Sequence, residues 1–190
     1  MYHFYALLAR MRYINRWGLM HNTFPENVAE HSLMTAVLAH ALALIRRDVF
    51  GIDCDPEACA AAALYHDASE IMTGDLPTPV KYWSASIRDA YREVELHSVD
   101  KLLGLLPEEL RPAYEQSMRP ADGAARELVH AADKLSAYLK SASELRAGNT
   151  EFESAARQLF QKLKELEMRE IDYFLTHFYP SFTLTLDELQ

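Results

Sequence analysis

Cysteine and glycine are scarce: the 190-residue chain has two cysteines, Cys54 and Cys59, and six glycines. Two thiols with no adjoining His pair cannot complete a structural zinc site, and they do not make a disulfide framework, so both read as plain buried thiols. No glycine-rich phosphate loop is present, and no strand series accompanies one, which excludes P-loop and Rossmann architectures. Basic side chains are also few, 19 against 28 acidic, for a formal charge of −9. That balance argues against a nucleic-acid polymer as ligand, because such binders display a basic stripe that displaces counterions. A small anionic substrate needs only one or two local cations and remains compatible with it. Nor does any uninterrupted apolar run approach the roughly 20 residues that cross a bilayer. Met1 to Arg12 carries Arg10 and Arg12 within an apolar pattern, without a small-residue cleavage site, so it does not read as a signal peptide. The expectation is a cytoplasmic protein with no membrane partner, built as one globular domain over residues 1–190, for which 49% hydrophobic content is ample.

What is present is helical periodicity. Phe4, Leu7, Leu8, Met11 and Ile14 fall on one face of a first helix that ends near Asn15. Breakers in RWGLMHNTFPEN then predict a loop leading to a second helix, from about Val28 to Arg47, with His31 in its first turn. Asp55, Pro56 and Glu57 open an alanine-rich third helix to about Met72. Two prolines predict a loop through Asp75 to Lys81. A fourth helix from about Ser84 to Leu103 and a short fifth after Pro107 follow. Asp122 can cap a sixth, which carries Asp133 and stops at Gly148 and Asn149. A long amphipathic helix runs from about Thr150 to His177, where Pro180 closes it. The fold class is all-α, a helical bundle of about six to eight helices with no internal repeat.

The chemistry concentrates in YHDASE, Tyr65 to Glu70. An Asp67 following AAAAL is costly in a core unless it pairs with a cation or is fully hydrogen-bonded. On a continuous helix His66 and Glu70 would share a face, and Asp67 would border the same cavity. Two ligands do not complete a divalent site, which wants four to six donors. Further candidates are His31, in VAEHSLMTAVLAHAL, and Asp133, in LVHAADKLSAYL, each an ionisable group in an apolar helical setting.

His31, then His66-Asp67, then Asp133 resembles the H…HD…D order of the HD-domain metal phosphohydrolases. More closely, INRWGLM, NVAEHSL, LYHDASEIMTGDLPTPVKY, AYLK, AGN, DYF and PSF…LDE resemble the bacterial 5′-deoxynucleotidases of that superfamily, over essentially the whole chain. The resemblance implies an HD-type helical domain that hydrolyses deoxyribonucleoside 5′-monophosphates to deoxyribonucleosides and phosphate. It implies His31, His66, Asp67 and Asp133 as ligands of one divalent metal, with Co²⁺ or Mn²⁺ first and Fe²⁺, Ni²⁺ or Zn²⁺ also suited to two imidazoles and two carboxylates. It further implies Glu70 with Asp75 as the polar catalytic pair, and Arg16 as the residue that orients the phosphate. Trp17 and the segment Asp75, Leu76, Pro77 and Thr78 would border the nucleotide, Asp67 would touch it as well, and the assembly would be a homodimer.

Other readings attach to the same residues. His66-Asp67 alone equally fits a buried ion pair, Arg16 fits a cap on the first helix, and Trp17 fits core filler. Glu127 and His130 form an ExxH pair, but a ferritin-like di-iron site needs two. Two competing functions follow: an HD-type hydrolase of nucleoside triphosphates or signalling nucleotides, and a non-catalytic, metal-stabilised helical interaction module. Only Arg16 and Lys81 stand near the motifs as cations, which disfavours the triphosphate enzyme.

Overall fold

The computed structural model describes residues 1–190 apart from Tyr82, Asp122 and the side chain of Thr78. Asp122, read above as a helix cap, therefore lies outside the described residues. The described residues form α1 (Phe4–Leu8), α2 (Val28–Leu44), α3 (Pro56–Tyr65), α4 (Glu70–Thr73), α5 (Thr78–Lys81), α6 (Ala85–Gly104), α7 (Arg111–Met118), α8 (Gly123–Arg146), α9 (Glu153–Glu165) and α10 (Arg169–His177), and no strand. Eight of these exceed four residues, in line with the expected six to eight, and α4 and α5 are single turns.

At the centre, α2 packs against α3 and α8. Its start is set by a capping box: Glu30 N–H donates to Asn27 Oδ1 at 3.0 Å, and Asn27 N–H donates to the Glu30 carboxylate at 3.2 Å. Alanines line the contacts, with Ala39 and Ala43 on α2, Ala63 on α3, and Ala131 and Ala132 on α8 all fully buried, so the three backbones approach closely. Leu42, Leu128, Leu135, Leu163 and Ile171 fill the space around them. A second apolar cluster, Phe4, Ala68, Leu102, Leu103 and Leu106, joins α1 and α6 to the opposite side.

No uninterrupted apolar run of membrane-spanning length occurs, but one helix reaches that length with polar residues such as Glu30, His31 and His40 inside it. Val28–Val49, α2 with the π-helical turn that continues it, is 22 residues long with a mean hydropathy of 1.5, long and apolar enough by composition alone. The segment is 56% buried inside the molecule over its most apolar stretch, as the central helix of the bundle. Its apolarity arises because neighbours cover it on several sides.

Three boundaries also differ. The third helix does not run to Met72: after Tyr65 the chain tightens into turns in which Ala68, Glu70 and Ile71 N–H bond to carbonyls three residues back, before α4 resumes. The long last helix is interrupted at Glu167, whose φ of 52° is incompatible with continuing right-handed helix. Conversely, Asp75 to Lys81 is not wholly loop, because Pro79 falls at the second position of α5, where a missing N–H costs nothing.

Candidate metal centre

Four side chains from three places converge. His31 projects from the first turns of α2, His66 and Asp67 from the tightened turn after α3, and Asp133 from the middle of α8. His31 Nε2 lies 3.0 Å from Asp133 Oδ1 and 3.6 Å from Asp67 Oδ2. His66 Nε2 lies 3.1 Å from Asp67 Oδ2 and 4.0 Å from Asp133 Oδ1. Donors bound at about 2.0–2.2 Å around one cation sit about 3–4 Å from each other, so His31, His66 and Asp133, whose candidate ligand atoms lie within 4.8 Å of one another, have the spacing to share a single divalent ion, with Asp67 against both imidazoles.

The far sides of both imidazoles are engaged. His66 Nδ1–H donates to the Ala63 carbonyl at 2.7 Å, which turns Nε2 toward the carboxylates. That Nε2 is buried and, although Asp67 Oδ2 lies 3.1 Å away, no acceptor is aligned with it for a hydrogen bond. His31 is fully buried, and its Nδ1 meets Ser136 Oγ at 3.3 Å.

Electrostatics asks for positive charge here. Burial by itself disfavours an imidazolium, yet the Asp67 and Asp133 carboxylates raise His66 to about 9. Burial likewise opposes ionising Asp133, but its bond to His31 and the neighbouring His66 and Arg16 hold it well below the usual carboxylate range. Carboxylates that keep a proton on a buried imidazole have the charge to hold a divalent cation in its place, so the donor chemistry fits the implied metal.

Glu70 and Asp75 stand on the next shell of this cluster. Glu70 is 7% exposed and its Oε2 is buried without a partner. Burial first, then Asp67 and Asp75, push its carboxyl up to about 9. Asp75 follows the sharp turn at Gly74, whose φ of 71° suits glycine, and the nearby Trp17 backbone N–H favours its charged form. Burial raises Asp75 as well, with Arg16 opposing.

Arg16 joins the loop to the cluster: Nη1 donates to Asp67 Oδ2 at 3.3 Å, and Nε donates to Glu26 at 3.2 Å. Its guanidinium thus does not serve as a cap on the first helix. Trp17 has a φ of 58°, a conformation that costs a non-glycine residue about 1–2 kcal/mol. The strain is offset by contacts, since its indole N–H donates to Glu26 at 3.1 Å and its ring lies 5.3 Å from that of Phe152.

A cavity of about 490 Å³ opens beside the cluster. One wall is Arg16, Trp17, Leu19 and Met20; a second is Asp75, Leu76, Pro77 and Pro79; a third is Asp133, Lys134 and Ala137 of α8 with Leu159 and Lys162 of α9. All the expected cleft residues whose side chains are described thus border one space or the cluster behind it, while the side chain of Thr78 lies outside the described residues. One expectation fails: Lys81 does not face this cavity, its ammonium lying 2.7 Å from Glu95 and over the Tyr91 ring. The cavity's cations besides Arg16 are Lys134 and Lys162, on helices the motif search did not connect to the site. Glu127 of the ExxH pair binds Arg46 at 3.0 Å and takes no part. Glu26 was also missed, since an isolated acid in FPEN carries no periodic signal.

Residues 3–182 match the family model described as 5′-deoxynucleotidase YfbR-like. The chain is 50% identical to the 5′-deoxynucleotidase of Erwinia tasmaniensis, with 98% of this chain and 96% of the relative aligned. Among solved structures it resembles an HD-domain phosphohydrolase from Listeria innocua, with a TM-score of 0.80 at 25% identity, covering 94% of this chain and 87% of that one. The fold is also that of a cyanophage S-2L HD phosphohydrolase bound to dA and one catalytic Zn²⁺ ion, with a TM-score of 0.69 at 22% identity over 95% of this chain and 96% of that one.

Proposed function

Because the chain belongs to the YfbR-like 5′-deoxynucleotidase family, whose model matches residues 3–182 and a member of which is 50% identical over 98% of the chain, we propose that one HD phosphohydrolase domain spanning residues 1–190 removes phosphate from deoxyribonucleoside 5′-monophosphates at the His31, His66, Asp67 and Asp133 cluster. The observation that carries this reading is the buried, unpartnered Nε2 of His66, facing two carboxylates and a second imidazole at the edge of a nucleotide-sized cavity.

In this reading the four side chains hold one divalent cation, with Co²⁺ or Mn²⁺ the first choices and Zn²⁺, present in the cyanophage enzyme of the same fold, among the alternatives. A cation so held supplies Lewis acidity toward the phosphoryl oxygens and acidifies the attacking water. Arg16, fixed between Glu26 and Asp67, presents its remaining N–H groups to the phosphate and offsets the charge that otherwise repels a nucleophile. Glu70, behind Asp67, and Asp75, facing the cleft, move the proton between the attacking water and the departing sugar oxygen. Trp17, Leu76, Pro77 and Thr78 border the nucleoside. An indole packed on C2′ leaves a ribose hydroxyl desolvated and unpaired, a penalty of roughly 1–3 kcal/mol that deoxyribose escapes.

Phosphate release from a panel of deoxy- and ribonucleoside monophosphates, using EDTA-stripped protein with individual metals returned, tests the reading. Phosphate from dAMP that exceeds phosphate from AMP and depends on added metal supports it, and equal turnover of the two sugars removes the role given to Trp17. A hydrolase of nucleoside triphosphates draws support from Lys134 and Lys162 along the cleft; release of pyrophosphate or triphosphate identifies it.

The proposal includes a cytoplasmic enzyme, in keeping with the scarcity of cysteine, and a homodimer. Leu163, Ile171 and Phe174 are buried within the subunit, so the last helices have little left to offer a partner beyond Phe160. Exposed Leu33, Met34 and Val37 on α2 supply a more continuous apolar face. Sedimentation of the parent and of Val37→Glu reads the assembly.

A further inference from the structure

The loop that carries Arg16 and Trp17 is closed at its base: Arg16 N–H bonds to the Glu26 carbonyl at 2.9 Å, and Val28 N–H to the Ile14 carbonyl at 2.9 Å. Its far side rests on something else. Glu144, near the end of α8, is completely buried, and its carboxylate accepts from Thr23 N–H at 3.0 Å and Phe24 N–H at 2.9 Å, both in the loop. It also accepts from Asn149 Nδ2 at 2.9 Å and from the Lys140 ammonium. Lys140 and Asn149 then reach the same loop themselves, donating to the Phe24 carbonyl and, at 2.7 Å, to the His21 carbonyl. Lys140 further lies 5.3 Å over the ring of Phe152, the ring on which Trp17 packs.

A fully buried carboxylate is retained only if its lone pairs are filled, and here two of the four donors are main-chain amides of a segment 120 residues distant in sequence. The order of residues then matters. Between Trp17, held in a strained left-handed conformation, and the Glu144 contacts lie only Gly18 to Asn22, and Asn22 Nδ2 donates back to the Trp17 carbonyl at 3.2 Å. The latch at Thr23 and Phe24 thus limits the freedom of the stretch whose start presents Arg16 and Trp17 to the cavity.

We propose that Glu144, with Lys140 and Asn149, is a positioning residue: it latches the 16–27 loop onto α8 and so sets the placement of Arg16 and Trp17 on the nucleotide, without touching nucleotide or metal. The inference rests on the reading that Arg16 and Trp17 meet the substrate. It separates two things that a merely structural residue would lose together, metal affinity and nucleotide recognition, because none of the cluster's candidate metal-binding side chains lies in the loop, which reaches them through Arg16 on Asp67.

The test uses the full-length protein with Mn²⁺ and compares parent, Glu144→Gln and Asn149→Ala. Three quantities are read: KM and kcat for dAMP, Mn²⁺ affinity by calorimetric titration, and amide hydrogen exchange across residues 16–27. Glu144→Gln is expected to speed exchange at Thr23 and Phe24 by about tenfold or more and to raise KM by about tenfold, with Mn²⁺ affinity within about twofold of the parent. Asn149→Ala moves the same readouts in the same direction by roughly two- to fivefold, and it decides the matter if the Gln variant does not fold. Faster exchange with an unchanged KM overturns the proposal, as does a loss of activity that merely follows a loss of Mn²⁺ affinity. A parent inert toward dAMP overturns the proposed function and the latch with it; an active parent with an unaffected variant overturns the latch alone.

Discussion

Helix α8 carries a carboxylate at each of two levels, and the two environments differ in kind. At the upper level Glu144 is surrounded by hydrogen-bond donors that belong to the protein: two backbone amides, an amide side chain and an ammonium fill its lone pairs. Three turns earlier Asp133 faces His31, His66 and, across them, Asp67, in a group that contains a buried His66 Nε2 without a partner and a nearby Glu70 Oε2 in the same state. Both are clusters of charge withdrawn from solvent, Glu144 completely and Asp67 and Asp133 in part. One is satisfied by the fold and holds it together, whereas the other leaves polar atoms of His66 and Glu70 that the chain does not fill. Burial and net charge do not separate a structural ion cluster from a functional one; the count of filled and unfilled hydrogen-bonding sites does.

The largest way to break this comparison is at the unfilled cluster. His66→Ala removes a donor the chain cannot replace, so divalent-metal content should drop and kcat/KM for dAMP should fall by at least about a thousandfold, read by metal analysis and phosphate release. Secondary structure by circular dichroism should survive, since within the fold His66 donates to the Ala63 carbonyl and otherwise meets only the carboxylates of the cluster. A variant that keeps both metal and activity refutes the ligand role.

Glu70→Gln comes next. It retains the shape of a group whose carboxyl is pushed up to about 9 by burial and by Asp67 and Asp75, but it can no longer move a proton. Metal content should be unchanged and kcat reduced by about 10²–10⁴-fold. Full activity with metal retained would remove Glu70 from the proton-transfer role.

A smaller effect is expected at the loop wall that joins the two clusters. Trp17→Ala should narrow the preference for dAMP over AMP by about ten- to hundredfold, measured as the ratio of kcat/KM values, with most of the change in AMP. A ratio that stays where it was would leave Trp17 as packing on Phe152.

The smallest effect belongs to the satisfied cluster and appears in its pH dependence. Burial alone would raise Glu144, but Lys140, Phe24, Asn149 and Thr23 hold its carboxyl below the ordinary value of 4.5. A depressed folded pKa stabilises the native state above the unfolded value and loses that contribution as pH falls below it. Urea midpoints of the parent should therefore drop more steeply below about pH 4.5 than those of Glu144→Gln. Parallel pH profiles would show that the latch carries no such charge.

Much of this was legible locally. Phe4, Leu7 and Met11, the Asp55-Pro56 opening of α3 and the Gly148-Asn149 stop after α8 announce helices through spacing and capping, which are properties of neighbouring residues. The four cluster residues were legible as polar groups in apolar helical settings and through the motif they resemble. The interruption after Tyr65 was not, because an alanine-rich stretch favours helix throughout and only the packing of Ala68 in the second apolar cluster accompanies the tightened turn. Nor was the one at Glu167, where nothing in the residue type announces a positive φ. Lys81 was misplaced because proximity to a motif in sequence says little about which wall of a cavity a long side chain reaches.

By itself the amino-acid order determined an all-α chain, the approximate limits of its helices, and a short set of candidates for metal and proton chemistry. These follow from side-chain period, capping chemistry and the cost of an unpaired charge, all of which act over a few residues. Only the tertiary structure decided that His31 meets Asp133 across 102 positions and that Glu144 meets Phe24 across 120. It also decided that Lys134 and Lys162, not Lys81, face the cleft. Such pairings depend on how α2, α3 and α8 cross, which no local pattern encodes: the helices could keep their periods and caps while meeting in another register, and only the joint packing of their buried faces selects this one.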